Sequence, residues 1–157
     1  MRGFWHMGFT VSDLDRSIKF YQDVLGMRVD DTLDLGESQS FDKLTNNMGT
    51  RTRWAFMSLE VGGRGVRRLP ASGTFTLQLV EYSAAGGEPL ELAHNRPGSP
   101  HLAIFVEDAG LEFERIKDGG LAPITSEMVL HPNSRSFYIE DPDGLPIELW
   151  EEFPDEA

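Results

Sequence analysis

The chain has 157 residues, 39% hydrophobic and 25% charged, with a formal net charge of -12 and no cysteine. That is one domain's length with enough apolar content for a core, and the absence of cysteine excludes disulfides, thiolate nucleophiles and cysteine metal sites. The acidic balance argues against nucleic acid, whose phosphates need a basic face, and no apolar run approaches the ~20 residues of a membrane span.

The N-terminus enters a strand pattern directly, without the apolar segment of a signal peptide, so a cytoplasmic protein is expected. Residues 4–11 alternate as a strand, with His6, Gly8 and Thr10 on one face. Ser12 with Asp15 reads as a capping-box-like helix start. Leu14, Ile18, Tyr21 and Leu25 then follow at the spacing of one helix face, and Gly26 stops the helix. Residues 27–31 predict a second strand, and 32–47 a polar, irregular segment with a short helix near 41–44. Residues 51–61 form a strand carrying Trp54, Phe56 and Ser58 on one face. A loop containing Arg64, Arg67 and Arg68 leads to a strand at 74–82. These arginines read as solvated loop residues, with an anionic substrate as the alternative.

The loop at 83–100, rich in Gly, Pro and Asn, separates two halves. Residues 101–106 predict a strand, 108–117 a helix stopped by Gly119-Gly120, and 121–125 a short strand. His131 falls in a loop beside Pro132. A hairpin of 136–140 and 145–151 then turns around Asp141-Pro142-Asp143-Gly144. The acidic end after Trp150 reads as a solvated tail, whereas Trp150 shares a strand face with Glu148 and is placed to wall a pocket or to join the core.

The two halves repeat one another. His6-Met7-Gly8-Phe9-Thr10-Val11-Ser12-Asp13 is matched by His101-Leu102-Ala103-Ile104-Phe105-Val106-Glu107-Asp108, and Leu77 to Glu81 by Ile147 to Glu151. A fixed-offset repeat is read before anything else because it decides the fold. The first half carries extra chain between its helix and its last strand.

This order resembles the glyoxalase/bleomycin-resistance/dioxygenase (vicinal oxygen chelate) superfamily. The resemblance is carried by the two His-x4-Val-x-Asp segments, by Phe20-Tyr21 with Leu25-Gly26, and by Ser136-Phe137-Tyr138-x2-Asp141-Pro142-Asp143-Gly144-x3-Glu148. It implies an α+β fold within one domain. Two βαβββ modules, at about 1–83 and 98–153, form a cupped mixed sheet around a metal site. It further implies one divalent ion (Zn, Ni, Co, Mn or Fe) held by His6, Gln78, His101 and Glu148, with a small-molecule substrate and a homodimer. Two imidazoles, an amide and one carboxylate suit such an ion chemically. Gly8 and Ala103, each two residues from a His, are small enough to leave room for substrate above it.

Within the resemblance, the set His, Gln, His, Glu is similar to that of methylmalonyl-CoA epimerases. The acid those enzymes place before a Gly is, however, replaced here in Asn46-Asn47-Met48-Gly49. Glyoxalase-type isomerisation usually has a carboxylate at both last-strand positions. Since the Gln78 amide cannot take a proton, Glu148 remains as ligand and catalytic base. The expected function is therefore a metal-dependent lyase or isomerase moving a proton next to a chelated carbonyl or enolate. An extradiol dioxygenase using His6, His101 and Glu148 around Fe(II), with His131 and Tyr138 behind them, is one alternative. A protein that sequesters a small molecule, as in drug resistance, is the other.

Overall fold

The computed structural model describes residues 3–61, 73–84 and 90–153. Arg64, Arg67 and Arg68, and the tail beyond Phe153, lie outside the described residues. The element order is β1 (Met7–Val11), α1 (Leu14–Asp23), β2 (Arg28–Glu37), α2 (Gln39–Thr45), β3 (Arg51–Val61) and β4 (Gly73–Tyr82) in a first compact unit. A second unit contains β5 (Leu102–Phe105), α3 (Ala109–Gly119), β6 (Val129–His131), β7 (Ser134–Glu140) and β8 (Pro146–Glu152).

Each unit builds its own mixed sheet of four strands, in the orders β1-β4-β3-β2 and β5-β8-β7-β6. The first strand runs parallel to the last and the other pairings are antiparallel. The class is α+β, as the repeat implied. Strand alternation sorts the faces. In the first unit α1 buries Leu14, Phe20 and Tyr21 on the sheet face formed by Ala55, Met57, Leu77 and Leu79. In the second, α3 buries Ala109 and Ile116 over Phe137, Ile139, Ile147 and Leu149. The ring of Phe113 packs edge-on against Phe137 at 5.1 Å. The face away from the helix carries Trp54, Phe56 and Gln78 in the first unit and Tyr138, Glu148 and Trp150 in the second.

The helix starts are built alike. The Asp13 carboxylate caps α1 by accepting from Arg16 N–H at 3.0 Å, and Glu81 of β4 accepts from Leu14 N–H at 2.7 Å. Arg53, opposite Glu81 on β3, reaches Asp15 at 2.8 Å and Glu81 at 3.5 Å. In the second unit Asp108 caps α3 through Leu111 N–H at 2.9 Å, while Glu151 accepts from Ala109 N–H at 2.7 Å. Arg135, opposite Glu151 on β7, bonds Glu151 at 2.5 Å and Asp108 at 2.6 Å. Carboxylates at a helix N-terminus satisfy N–H groups that have no partner within the helix and meet the positive end of its dipole.

Three local expectations are corrected. The α1 cap is Asp13 rather than Ser12, because Asp13 has the extended backbone (φ -149°) from which its side chain reaches Arg16 N–H. Residues 28–37 form one long strand instead of ending near 31. Its pairing with β3 slips between Val29 and Asp31 and again between Asp34 and Gly36, where φ is +58°. Those bulges break the two-residue period that would have revealed the strand. The short helix expected near 41–44 is present as α2, capped by Ser38 and closed by Asn46 in the left-handed region at φ 53°. In the second half the strand expected at 121–125 is reduced to a single bridge, Ile124 to Ile139. The second strand of that unit in chain order is instead β6, at the edge of the sheet, which ends on His131.

Candidate functional site

The first unit brings His6 and Gln78 to one place. Gly8 pairs with Gln78, Gln78 with Phe56, and Val80 with Trp54, so these residues share the face opposite α1. His6 immediately precedes β1 rather than lying within it. A Cβ built on Gly8 would sit 3.6 Å from Gln78 Oε1 and 4.0 Å from His6 Cδ2, so the glycine forms the floor of a cradle between the two. His6 Nδ1 is buried there without a hydrogen-bond partner. A buried polar atom in that condition is costly unless something absent from the protein chain meets it.

Aromatic rings wall this face. Trp5 lies edge-on to His6 at 4.4 Å and stacks on Phe56 at 6.0 Å, and Phe56 meets His6 at 5.6 Å. Phe41 of α2 lies 4.9 Å from Trp54 and 6.1 Å from Tyr82. The extra chain of the first half therefore covers the candidate-site face rather than the core face.

In the second unit the polar residues converge on Glu148. Tyr138 and Ala103 are its neighbours on β7 and β5, and Ser136 Oγ donates to Glu148 Oε1 at 3.0 Å. Burial raises the Tyr138 phenol above its ordinary range, and the charge of Glu148 and a hydrogen bond to it act in the same direction. The His101 ring, just before β5, stands 6.2 Å from that of Tyr138. His94 lies 4.5 Å from Tyr138 and 6.4 Å from His101. Beside Glu148 a cavity of about 360 Å³ opens over Ala103, Phe105 and Trp150. Trp150 thus walls a pocket rather than joining the core, and Ala103 leaves the space expected of a small residue. His131 is exposed, at the end of β6, and stacks on Trp150 at 5.4 Å and 17°.

The His that accompanies Tyr138 is thus His94, not His131. No motif marks His94, which lies in a loop. Ser136 was legible in principle, since it shares strand parity with Tyr138 and sits in the hairpin facing Glu148. Among the described residues no three His, Asp or Glu side chains gather around one point. Each unit by itself offers a pair from the expected set, His6 with Gln78 and His101 with Glu148. The residues fit a divalent ion on two grounds: the unpartnered buried nitrogen of His6 beside the Gly8 cradle, and a donor set of neutral imidazole, amide oxygen and carboxylate.

Among the described residues no helix is long and apolar enough to cross a membrane. A lactoylglutathione lyase of Haemophilus influenzae is 30% identical over 147 residues, spanning 93% of this chain and 90% of that protein. A probable lactoylglutathione lyase of Synechocystis is 28% identical over 154 residues, spanning 92% and 91%. The crystal structure of a glyoxalase family protein from Bacillus cereus superposes with a TM-score of 0.78 at 19% identity, covering 98% of this chain and 95% of that one. The model of the Glyoxalase/Bleomycin resistance protein/Dioxygenase superfamily matches residues 3–149, nearly the whole chain. With the duplicated strand–helix–strand units and their paired histidines, this match makes the chain a member of that superfamily.

Proposed function

We propose that the protein is a divalent-metal-dependent lyase of the glyoxalase type, which moves a proton next to a carbonyl of a small-molecule substrate. The observation that carries this reading is the His6–Gln78 pair around Gly8, with its unpartnered imidazole nitrogen, at strand positions repeated by His101 and Glu148. The lactoylglutathione lyase relative supports the reaction class. His6, Gln78, His101 and Glu148 are the residues that would hold the ion, one of Zn, Ni, Co, Mn or Fe. Bound there, it supplies a Lewis acid for a substrate oxygen.

The chain's own part is proton handling. Glu148 takes the proton from the carbon beside the carbonyl and returns it to the product. Ser136 and Tyr138 orient that carboxylate through their hydrogen bonds. Gln78 contributes an oxygen but cannot carry a proton, so one carboxylate performs both transfers.

Metal analysis after supplementation and dialysis tests the reading. Wild type is expected to retain about one ion per chain, and His101→Ala to lose it while keeping its far-UV circular dichroism. A wild type that retains none overturns the proposal. In the loaded protein, deuterium exchange at C–H groups beside carbonyls, with lactoylglutathione among the compounds tried, reports the chemistry. The cluster of His94, Tyr138 and His101 favours one second reading, an extradiol dioxygenase with Fe(II). Oxygen uptake with catechols under Fe(II) separates it from the lyase.

A further inference from the structure

We propose that the cavity beside Glu148 is a subsite for an uncharged planar ring of the substrate, one that carries a hydrogen-bonding group on the edge opposite the reacting carbonyl. The inference rests on the lyase reading in taking Glu148 as the reacting end of the site.

Strand alternation along β8 sends Ile147 and Leu149 into the core, at 0% and 2% exposure, and leaves Glu148 and Trp150 together on the other face. The pairing with β7 puts Tyr138 beside Glu148, Ser136 beside Trp150, and Ser134 one step further along the same face. On the other side of β8, Ala103 adjoins Glu148 and Phe105 adjoins Trp150. The face is thus ordered as a carboxylate, an indole and a hydroxyl. Ser136 commits its hydroxyl to Glu148 at 3.0 Å. Ser134 is only 3% exposed and lines the cavity, and its hydroxyl makes no hydrogen bond with another described residue. A buried hydroxyl in that condition costs free energy until something from outside the chain meets it.

The indole offers a surface for stacking. His131 stacks on it at 5.4 Å and 17° but is not among the cavity-lining residues, so the part of the indole that borders the cavity is not the part His131 covers. An aromatic ring laid there gains from ring–ring contact beyond the area it buries. Along an extended strand, the four steps from Tyr138 to Ser134 span about 13 Å. Taking off a hydrogen-bond length of roughly 3 Å at each end leaves about 7 Å. That is close to the reach from a ring substituent to the carbon beside a carbonyl on the opposite edge. A cavity of about 360 Å³ lies at the small end of the range for ligand sites and suits one ring with short arms. At its far end Ser134 and Asn133 are neutral, and neither Lys nor Arg is among the lining residues to receive an anion. Glu148 belongs to the ion and Glu152 has an interaction of its own, so neither carboxylate is assigned to the ring. The substrate expected is therefore an aryl carbonyl compound with a neutral polar group opposite the carbonyl.

The test uses the full-length protein, stripped of metal and then loaded, with 4-hydroxyacetophenone, acetophenone and cyclohexyl methyl ketone as probes. Binding is followed by amide chemical shifts. Acetophenone is expected to bind about fivefold more tightly than the cyclohexyl ketone, the size of a ring–ring contact. The 4-hydroxy compound should gain about a further fivefold, the size of one neutral hydrogen bond, and the shifts should centre on Trp150 and Ser134. Ser134→Ala should bring the two aryl ketones within about twofold of each other while keeping the ring preference. Trp150→Leu should bring acetophenone and the cyclohexyl ketone within about twofold. The absence of either preference in wild type overturns the subsite, and so does a hydroxyl preference that survives Ser134→Ala. Where Trp150→Leu does not fold, Ser134→Ala decides, since it leaves the indole in place. Metal content of the same samples separates the two ideas. A wild type that shows both preferences but holds no ion keeps the subsite and removes the lyase reading. One that holds the ion but lacks the preferences does the reverse.

Discussion

Replacing Glu151 by Gln keeps the shape of the side chain and removes its charge. Glu151 is 14% exposed and accepts two charge-assisted bonds, from Ala109 N–H at 2.7 Å and from Arg135 at 2.5 Å. Each such bond contributes roughly 1.5–3 kcal/mol net. The amide retains one neutral acceptor, so about half of the total survives and the cost is on the order of 2 kcal/mol. For a chain of this length that lowers Tm by about 4–8 °C. The duplicated position supplies the control. Glu81 accepts from Leu14 N–H at 2.7 Å but holds Arg53 only at 3.5 Å and is 22% exposed, so Glu81→Gln should cost nearer ~1 kcal/mol. Urea unfolding followed by far-UV circular dichroism measures both variants, with the m-value expected to match wild type. If Glu81→Gln proves the costlier of the two, or Glu151→Gln costs under about 0.5 kcal/mol, the charge-assisted account of the helix clamp is wrong.

Two further outcomes follow from other parts of the structure. Gly8→Ala introduces a Cβ at ordinary contact distance from Gln78 and His6 and should keep the ion, whereas the branched side chain of Gly8→Val should fill the cradle. Gly8→Val is therefore expected to fold with a stability change within about 0.5 kcal/mol, since the position lies outside the core, and to lose metal on dialysis. Burial raises the Tyr82 phenol above its ordinary value of 10.0. The folded state thus holds Tyr82 neutral, and the associated stability is complete below about pH 10 and lost as pH rises through the folded value. Tyr82→Phe should flatten the alkaline fall in unfolding free energy, and phenolate absorbance should rise early if Tyr82 titrates as a free phenol does.

The sequence was most readable where a short period met a repeat. The strands before Asp13 and Asp108, the helices α1 and α3 and the last hairpin were legible because their apolar residues recur at two or 3.6 positions and because the strand and helix patterns occur twice. The pairing of Gln78 with His6 followed from the same register. What escaped was non-periodic. β2 carries two bulges, so its alternation changes phase twice and reads as loop. β6 has three residues, too few to show a period. The Glu81 and Glu151 carboxylates look like surface charge in the sequence, because their partners, the first amides of helices far away in the chain, come near only once the sheet forms. The loop residue His94 meets Tyr138 for the same reason.

In both units the helix-side face carries the core and the clamp, while the opposite face carries the residues of the proposed site. Gln78 and Glu148 are therefore editable. Exchanging either one disturbs neither the apolar layer beneath the sheet nor the carboxylates that seat the helix. A duplicated scaffold of this kind can diverge one half at a time, with the untouched half as a stable template. Gln78→Glu would restore the two-carboxylate symmetry in a single step, making the present asymmetry a cheap place for one reaction to be turned into another.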